Sequence, residues 1–225
     1  MSTPIIVDAI ILANSKSQAL IDMTTRAIDS LHASEQKTEI QFNTIVVESC
    51  EKEAPNYAGA SHCIHPDVPF NYNRFLNIGL TQGNAPWVAM LNNDLVFHRG
   101  WMSAILAVAE RNPEVGSFSP WNPAPWQHDK LSDVYLGYGI GGVVTGWCLV
   151  ARREIFNRVK LREEVSFWCS DNSYQDELIK HGVPHALCRN SWVDHLGGKT
   201  LFTETNERIH ELTAGQVEAY GRMEK

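Results

Sequence analysis

Apolar runs of strand length alternate with amphipathic runs of helical period over the first 120 residues, and few folds accept that order. "PIIVDAIILA" (4–13) is continuously apolar apart from Asp8 and halts at Asn14-Ser15. Such a run suits a strand covered on both faces, the condition of a strand inside a parallel sheet. Ser15 is placed to cap a helix over 16–31, with Leu20, Thr24, Ala27, Ile28 and Leu31 on its inner stripe. "IQFNTIVVES" (40–49) predicts a second strand, which closes on Glu48. After a turn-rich stretch to residue 69, "NYNRFLNIGLTQ" (71–82) predicts a helix and "WVAMLNND" (87–94) a strand. Gly100 precedes the helix "WMSAILAVAER", stopped by Asn112-Pro113, and "VGSFSP" is a further short strand. The expected architecture is an α/β sandwich with a mostly parallel central sheet flanked by helices.

The second half has a different texture. Residues 121–142 are rich in aromatics, Pro and Gly and have the character of a functional loop. "VVTGWCLVARREIF" reads as a strand and the start of a helix, "FWCSDNSYQDELIKHG" holds a polar helix, and "VPHALCRNSWVDHLGGKT" is a last strand with a Gly-rich end. From about 203 the tail predicts one amphipathic helix carrying Ile209, Leu212 and Tyr220.

Composition narrows the partners. A net charge of −7 gives no general basic field for nucleic acid or anionic lipid. Cys50, Cys63, Cys148, Cys169 and Cys188 are odd in number and without CxxC spacing, so a reducing compartment is expected. Residues 4–13 lack the basic flank and cleavage site of a signal peptide. No apolar run approaches the roughly 20 residues that cross a bilayer. A cytoplasmic, non-spanning chain of one domain over 1–225 is the expectation.

Four stretches carry candidate chemistry, each with a plainer alternative. Asn92-Asn93-Asp94 ends an apolar strand and is followed at once by Leu95, Val96 and Phe97. It is either an Asx turn or a carboxylate with flanking amides that holds a divalent cation at a strand's carboxyl end. Asp171 follows Phe167 and Trp168, and is either a helix N-cap or a base whose pKa is raised beside aromatic bulk. His195, before Gly197-Gly198, is either a strand-end histidine beside Asp194 or a metal ligand. Cys50, His62, Cys63 and His65 match no common zinc spacing. Arg152-Arg153 either face phosphate or are solvated.

The order of these motifs resembles that of the family 2 glycosyltransferases of the GT-A fold, from about Ile5 to Thr200. "IIVDAIILANSKSQALIDMTTRAIDSL" is similar to their opening strand, nucleotide-binding loop (here Ala13 and Asn14) and helix. "TIVVES" is similar to the second strand, with Glu48 as the terminal acid that contacts base or ribose. "NIGLTQGNAPWVAMLNND" resembles the Asn-x-Gly helix, beginning at Asn77, and the strand bearing the DxD-type metal motif. "VVTGWCLVARREIF" resembles the acceptor-side Thr-Gly segment, here Thr145, Gly146 and Trp147. "SDNSYQDELIKHG" has the spacing of the Glu-Asp-x-Asp-Leu helix, with Asp171 on its Asp, and "HLGGKT" resembles the closing His-Gly-Gly-Ser/Thr element. Ser170 and Ser173 stand where the family has acids, and Asn-Asn-Asp replaces DxD.

What the resemblance implies is a metal-assisted, inverting transfer of a hexosyl or pentosyl group from a nucleotide-diphosphate sugar to an acceptor hydroxyl. Asp171 would be the base, Asp94 and His195 the ligands of Mn²⁺ or Mg²⁺, and Glu48, Asn77, Asn92 and Asn93 donor contacts. Residues 1–98 would form the nucleotide-sugar half, 99–202 the acceptor half and 203–225 a C-terminal helix. The acceptor is a glycan, a protein or a modified nucleobase. Trp121, Trp126, Trp147 and Trp168 supply aromatic faces there, and loop 121–142 would order over substrate. A sugar nucleotidyltransferase and a catalytically inactive sugar-binding relative are the alternatives.

Overall fold

The computed structural model describes residues 3–50, 55–122, 133–199 and 201–223. Strand β1 (Ile5–Ala13) pairs in parallel with β2 (Ile40–Glu48) on one side and β4 (Trp87–Asn92) on the other. Strand β3 (His62–Ile64) extends the parallel group beyond β2. With β5 (Leu95–Phe97), β6 (Ser117–Trp121), β7 (Val134–Leu136), β8 (Cys148–Arg152) and β9 (His185–His195), the sheet order is β3-β2-β1-β4-β8-β6-β9-β5, and β7 also pairs with β9.

The expected α/β sandwich, a central sheet flanked by helices, is what forms, and its parallel ladders are joined by shorter antiparallel ones. β8 runs antiparallel to β4 and β6, and β5 and β7 run antiparallel to β9, while β6 and β9 are parallel. Parallel neighbours need a crossover, and the described residues between β6 and β8 hold no helix.

Period-2 alternation decides which helix lies on which face. Val7, Ala9, Ile11 and Ala13 of β1 pack with Ile28 and Leu31 of α1 (Gln18–Ala33) and Trp101 and Ile105 of α3 (Trp101–Arg111). Ile10 and Leu12 point the other way, to Phe75 and Leu76 of α2 (Tyr72–Leu80) and Tyr174 and Leu178 of α4 (Ser170–Lys180). Each large apolar side chain so buried contributes about 2 kcal/mol. Helix α2 lies so close to β1 that a Cβ on Gly79 would stand 2.4 Å from Ile10 Cγ2. The glycine of Asn77-Ile78-Gly79 is therefore a packing requirement.

Local signals were displaced in instructive ways. Ser17, not Ser15, caps α1, accepting from Leu20 N–H at 3.4 Å. The expected inner residues of that helix are all buried, joined by Met23. The tail forms two helices, α5 (Asn206–Leu212) and α6 (Ala214–Gly221), broken at Thr213, rather than one. Arg152 and Arg153 are half-buried and bond to the fold itself. Arg152 lies 4.9 Å over the Trp87 ring and bonds the carbonyls of Val115 and Ala109. Arg153 reaches the buried Asp8 at 2.5 Å and donates to the carbonyls of Ala85 and Leu80. Among the described residues no helix is long and apolar enough to cross a membrane.

Candidate active site

The carboxyl ends of β1, β2 and β4 open on a cavity of about 1080 Å³, the place where an open α/β sheet offers a ligand site. Ala13 and Asn14 follow β1, Ser49 and Cys50 follow β2, and Asn92–Asp94 follow β4 around its rim. The turn 65–70, Tyr72 and Phe75 form the facing wall. Leu201, Glu204, Arg208 and Leu212 complete it from the C-terminal segment, tied across to the β1–α1 turn by the Lys16–Glu204 ion pair at 2.5 Å. No local pattern in the tail pointed to this role; its apolar spacing read only as a packed helix.

The break between β4 and β5 explains why the apolar strand resumes after Asn92. Leu95–Phe97 pair with Val193–His195 of β9, Leu95 standing opposite His195, so the turn that leads into β5 carries Asp94 to the imidazole. Asp94 Oδ1 and His195 Nε2 lie 3.3 Å apart, and neither buried atom has a hydrogen-bond partner. A carboxylate oxygen and an imidazole nitrogen, left bare side by side, suit a divalent cation that takes its other ligands from a bound molecule. Among the described residues no third His, Cys, Asp or Glu joins them. Trp147 stacks on the His195 ring, centroids 5.3 Å apart at 16°, and fixes its plane.

Asn93 is buried and donates to Thr24 Oγ1 at 3.1 Å, while Asn92 Oδ1 accepts from Tyr72 O–H at 3.0 Å. Asn14 Oδ1 and Ser15 Oγ are buried without partners in the β1–α1 turn. Behind that turn sits Glu48, wholly buried and off the cavity wall. Its Oε1 accepts from Ser15 N–H at 3.0 Å and Cys50 N–H at 2.8 Å, and its Oε2 from Tyr57 O–H at 3.1 Å. Glu48 thus shapes the rim through two loops. Burial, with the Glu48 charge beside it, pushes the Tyr57 hydroxyl far up, so it stays a donor.

Asp171 lies in the first turn of α4, whose N-cap, Cys169, has φ 65. It is the one non-glycine residue with positive φ among the described residues, and such backbone is held only where surroundings enforce it. Burial raises the Asp171 carboxyl, opposed by the Asn172 N–H at 2.9 Å from Oδ1. The turn before β8 lies against it: a Cβ on Gly146 would stand 2.8 Å from Asp171 Cβ. The same turn carries Trp147 to His195, so two consecutive residues, Gly146 and Trp147, link the acid to the Asp94–His195 pair; of the three side chains only Asp94 lies on the cavity wall. Thr145 does not offer its hydroxyl outward; Oγ1 donates to Cys148 O at 3.1 Å and closes the turn.

Other expected residues fall elsewhere. Asn77 is outside the cavity, its amide on Leu161 O and Glu163 Oε1, both at 3.0 Å. Asn71 and Asn73 bind the carbonyls of the same 161–165 segment, so α2 is an amide clamp for the chain that leads to α4. Trp168 is 48% exposed and does not line the cavity. Trp121 faces Arg189 at 4.8 Å and Trp192 edge-on at 6.2 Å. Trp126 and residues 123–132 of the expected loop lie outside the described residues. His62 and Cys63 are exposed, Cys63 with its thiol toward Pro55 O, and His65 contacts Cys50 O; they do not converge on a point.

Sequence reading passed over Tyr72. Its hydroxyl lies 3.0 Å from both Asn92 Oδ1 and Gly146 O, and its ring packs edge-on against Phe167. Burial, and then the charges of Asp171, Cys148 and Asp94, push it far above the ordinary tyrosine range. The only local hint was its place directly after the helix-capping Asn71.

No protein-family model matches the sequence, and no curated protein matches it. In fold the chain is similar to the glycosyltransferase TarS of S. aureus. Against the structure of TarS residues 1–349 the TM-score is 0.61 at 11% identity, covering 83% of this chain and 59% of that one. Against a longer TarS structure the TM-score is 0.60 at 10% identity, covering 88% of this chain and 38% of that one. At such identities the likeness is one of fold, a mixed sheet flanked by helices, and this chain spans less than two thirds of either neighbour.

Proposed function

We propose that this chain transfers a sugar from a nucleotide-diphosphate sugar to an acceptor hydroxyl with inversion, Asp171 acting as general base. The observation that carries the reading is the meeting of Asp94 Oδ1 and His195 Nε2, 3.3 Å apart, with the turn 145–147 that also lies against Asp171. The fold likeness to a glycosyltransferase supports the same class.

The cavity is large enough for a nucleotide sugar, small-molecule sites running to roughly 1,000 Å³. Asn14 and Asn92 on its rim offer amides to a nucleoside or sugar, and the β1–α1 turn has buried polar atoms awaiting partners. A Mn²⁺ or Mg²⁺ ion held by Asp94 and His195 would supply the positive charge that a departing diphosphate requires. Asp171 takes the proton of the acceptor hydroxyl as its oxygen attacks the anomeric carbon, and burial keeps the carboxyl basic enough for the task. One base and direct displacement leave no covalent sugar intermediate, hence inversion. In this reading residues 1–98 serve the donor, 99–202 the acceptor, and the acceptor is a glycan, protein or nucleobase hydroxyl.

A thermal-shift panel of nucleoside diphosphates and nucleotide sugars, with and without Mn²⁺, tests the proposal. A raised melting temperature with one nucleotide, larger with Mn²⁺, is expected, since a ligand of the folded form stabilises it. A flat response to every nucleotide overturns it.

A further inference from the structure

Tyr72 stands where all parts of this site meet, yet neither the sequence motifs nor the chemistry above employs it. Its backbone N–H donates to Ser166 O at 2.7 Å, and its ring lies 6.2 Å from that of Phe167 at 76°. Both partners belong to the short segment that enters α4 and ends at Asp171. Its one hydroxyl proton is shared between Asn92 Oδ1 and Gly146 O, each at 3.0 Å. Asn92 is two residues from Asp94, and Gly146 is the residue on which any Cβ would press into the Asp171 side chain. The backbone bond from Asn92 N–H to Trp147 O, at 2.9 Å, joins the strand end to the acceptor turn. Tyr72 adds the third member, the approach to α4, and does so with a rigid ring that has two torsions.

Three chain segments far apart in sequence are thus referred to one side chain. The Asn71, Asn73 and Asn77 amides hold the flanking segment 161–165 from the same helix, so the anchor itself has a firm base. Phenol and ring have separable jobs: the hydroxyl spans strand end and turn, while the ring and backbone hold 166–167. Resting on the glycosyl-transfer reading, we infer that Tyr72 is a positioning residue that sets Asp171 at its working distance from the Asp94 side of the cavity. A catalytic group displaced by about 1 Å loses on the order of a hundredfold in rate, so a partial slackening of this span costs less but measurably.

The test compares wild type, Tyr72→Phe and Tyr72→Leu. The probes are the nucleoside diphosphate with the largest thermal shift and its nucleotide sugar, with water as acceptor. Binding is read by calorimetry and turnover by nucleoside diphosphate released. Tyr72→Phe keeps the ring and is expected to bind the nucleoside diphosphate within about twofold of wild type while kcat falls about tenfold. Tyr72→Leu is expected to lose kcat further with the same Kd. A Tyr72→Phe kcat within about twofold of wild type overturns the inference, as does a Kd that worsens in step with kcat, which would make Tyr72 a donor contact. Wild type that binds and turns over while Tyr72→Phe matches it removes this inference alone. Wild type that binds no nucleotide removes the transfer reading as well.

Discussion

Asp8 on β1 and Asp94 just past β4 are both almost fully buried, at opposite ends of one sheet, and their surroundings could hardly differ. Asp8 meets Arg153 at 2.5 Å, the Asn43 amide at 2.7 Å and the Ala85 N–H at 2.9 Å. Asp94 Oδ1 has no hydrogen-bond partner, nor has the His195 nitrogen beside it. Asn14 Oδ1 and Ser15 Oγ at that end, and Ser173 Oγ and Gln175 Oε1 in α4, are also bare. A buried polar atom left without a partner costs about 1–3 kcal/mol. Folding gains nothing from gathering several at one end of a sheet; a molecule that answers them does. The closed end holds the chain together, and the open end is where the proposed nucleotide sugar would bind.

Three variants press on this contrast, in falling order of effect. Asp171→Asn is expected to cut turnover about a thousandfold with nucleotide affinity kept. Burial raises this carboxyl, so the fold penalises its ionised form, and stability is lost as pH rises through the raised value. The asparagine variant lacks that penalty and is expected to melt higher than wild type at pH 7 in scanning calorimetry; a lower melting temperature would count against a strained open end. At the closed end, Asp8→Ala strands Arg153 and is expected to lose about 4 kcal/mol in urea titration, with the nucleotide-induced shift intact. Asp94→Asn should change stability by less than about 1 kcal/mol and abolish the Mn²⁺-dependent part of that shift. Equal costs at the two acids would erase the distinction.

His185 tests a closed network that borders the open end. Its ring is fixed by Ser117 Oγ at 2.9 Å, and by Ser119 Oγ and Val143 O at 3.1 Å, while Ser119 also receives Thr145 N–H. Burial pushes its pKa down to about 4. The neutral ring is therefore the folded form, and its contribution is complete above about pH 6.5 and lost as pH falls toward 4, about 3 kcal/mol in all. His185→Gln should flatten that part of the acid limb of stability against pH. The smallest effect is expected at Cys169, where glycine removes the cost of φ 65 and gains under about 1 kcal/mol. A clear loss there would mean the thiol's packing outweighs the backbone strain.

Long, strongly periodic elements were legible in the chain: β1, β2, β4 and the stripe of α1 appear where their patterns put them, and α3 starts after Gly100 as its flank implies. Three-residue strands were not, because β3, β5 and β7 are too short to show a period. That gap mattered, since β5 is what turns Asp94 toward His195. The order of motifs marked which residues gather near the cavity, but not which way each faces. An acid at a strand end looks the same whether it meets a ligand or, as Glu48 does, two backbone N–H groups and a phenol. Asn77 and Tyr72 err in opposite directions for the same reason: helical position tells that a side chain is inward, and only the tertiary partner tells what it is for.

The ladder of three residue pairs between β5 and β9 acts as a ruler on chain length. One residue inserted between Asp94 and Phe97, or between Val193 and His195, would shift the pairing by a single step and turn successive side chains to the other face. The imidazole would leave the acid, and Asp194 would arrive in its stead. Drift in length is thus barred along these few residues while the turn 65–70 has no such ladder, so changes in size that leave the chemistry standing are to be sought on that opposite wall.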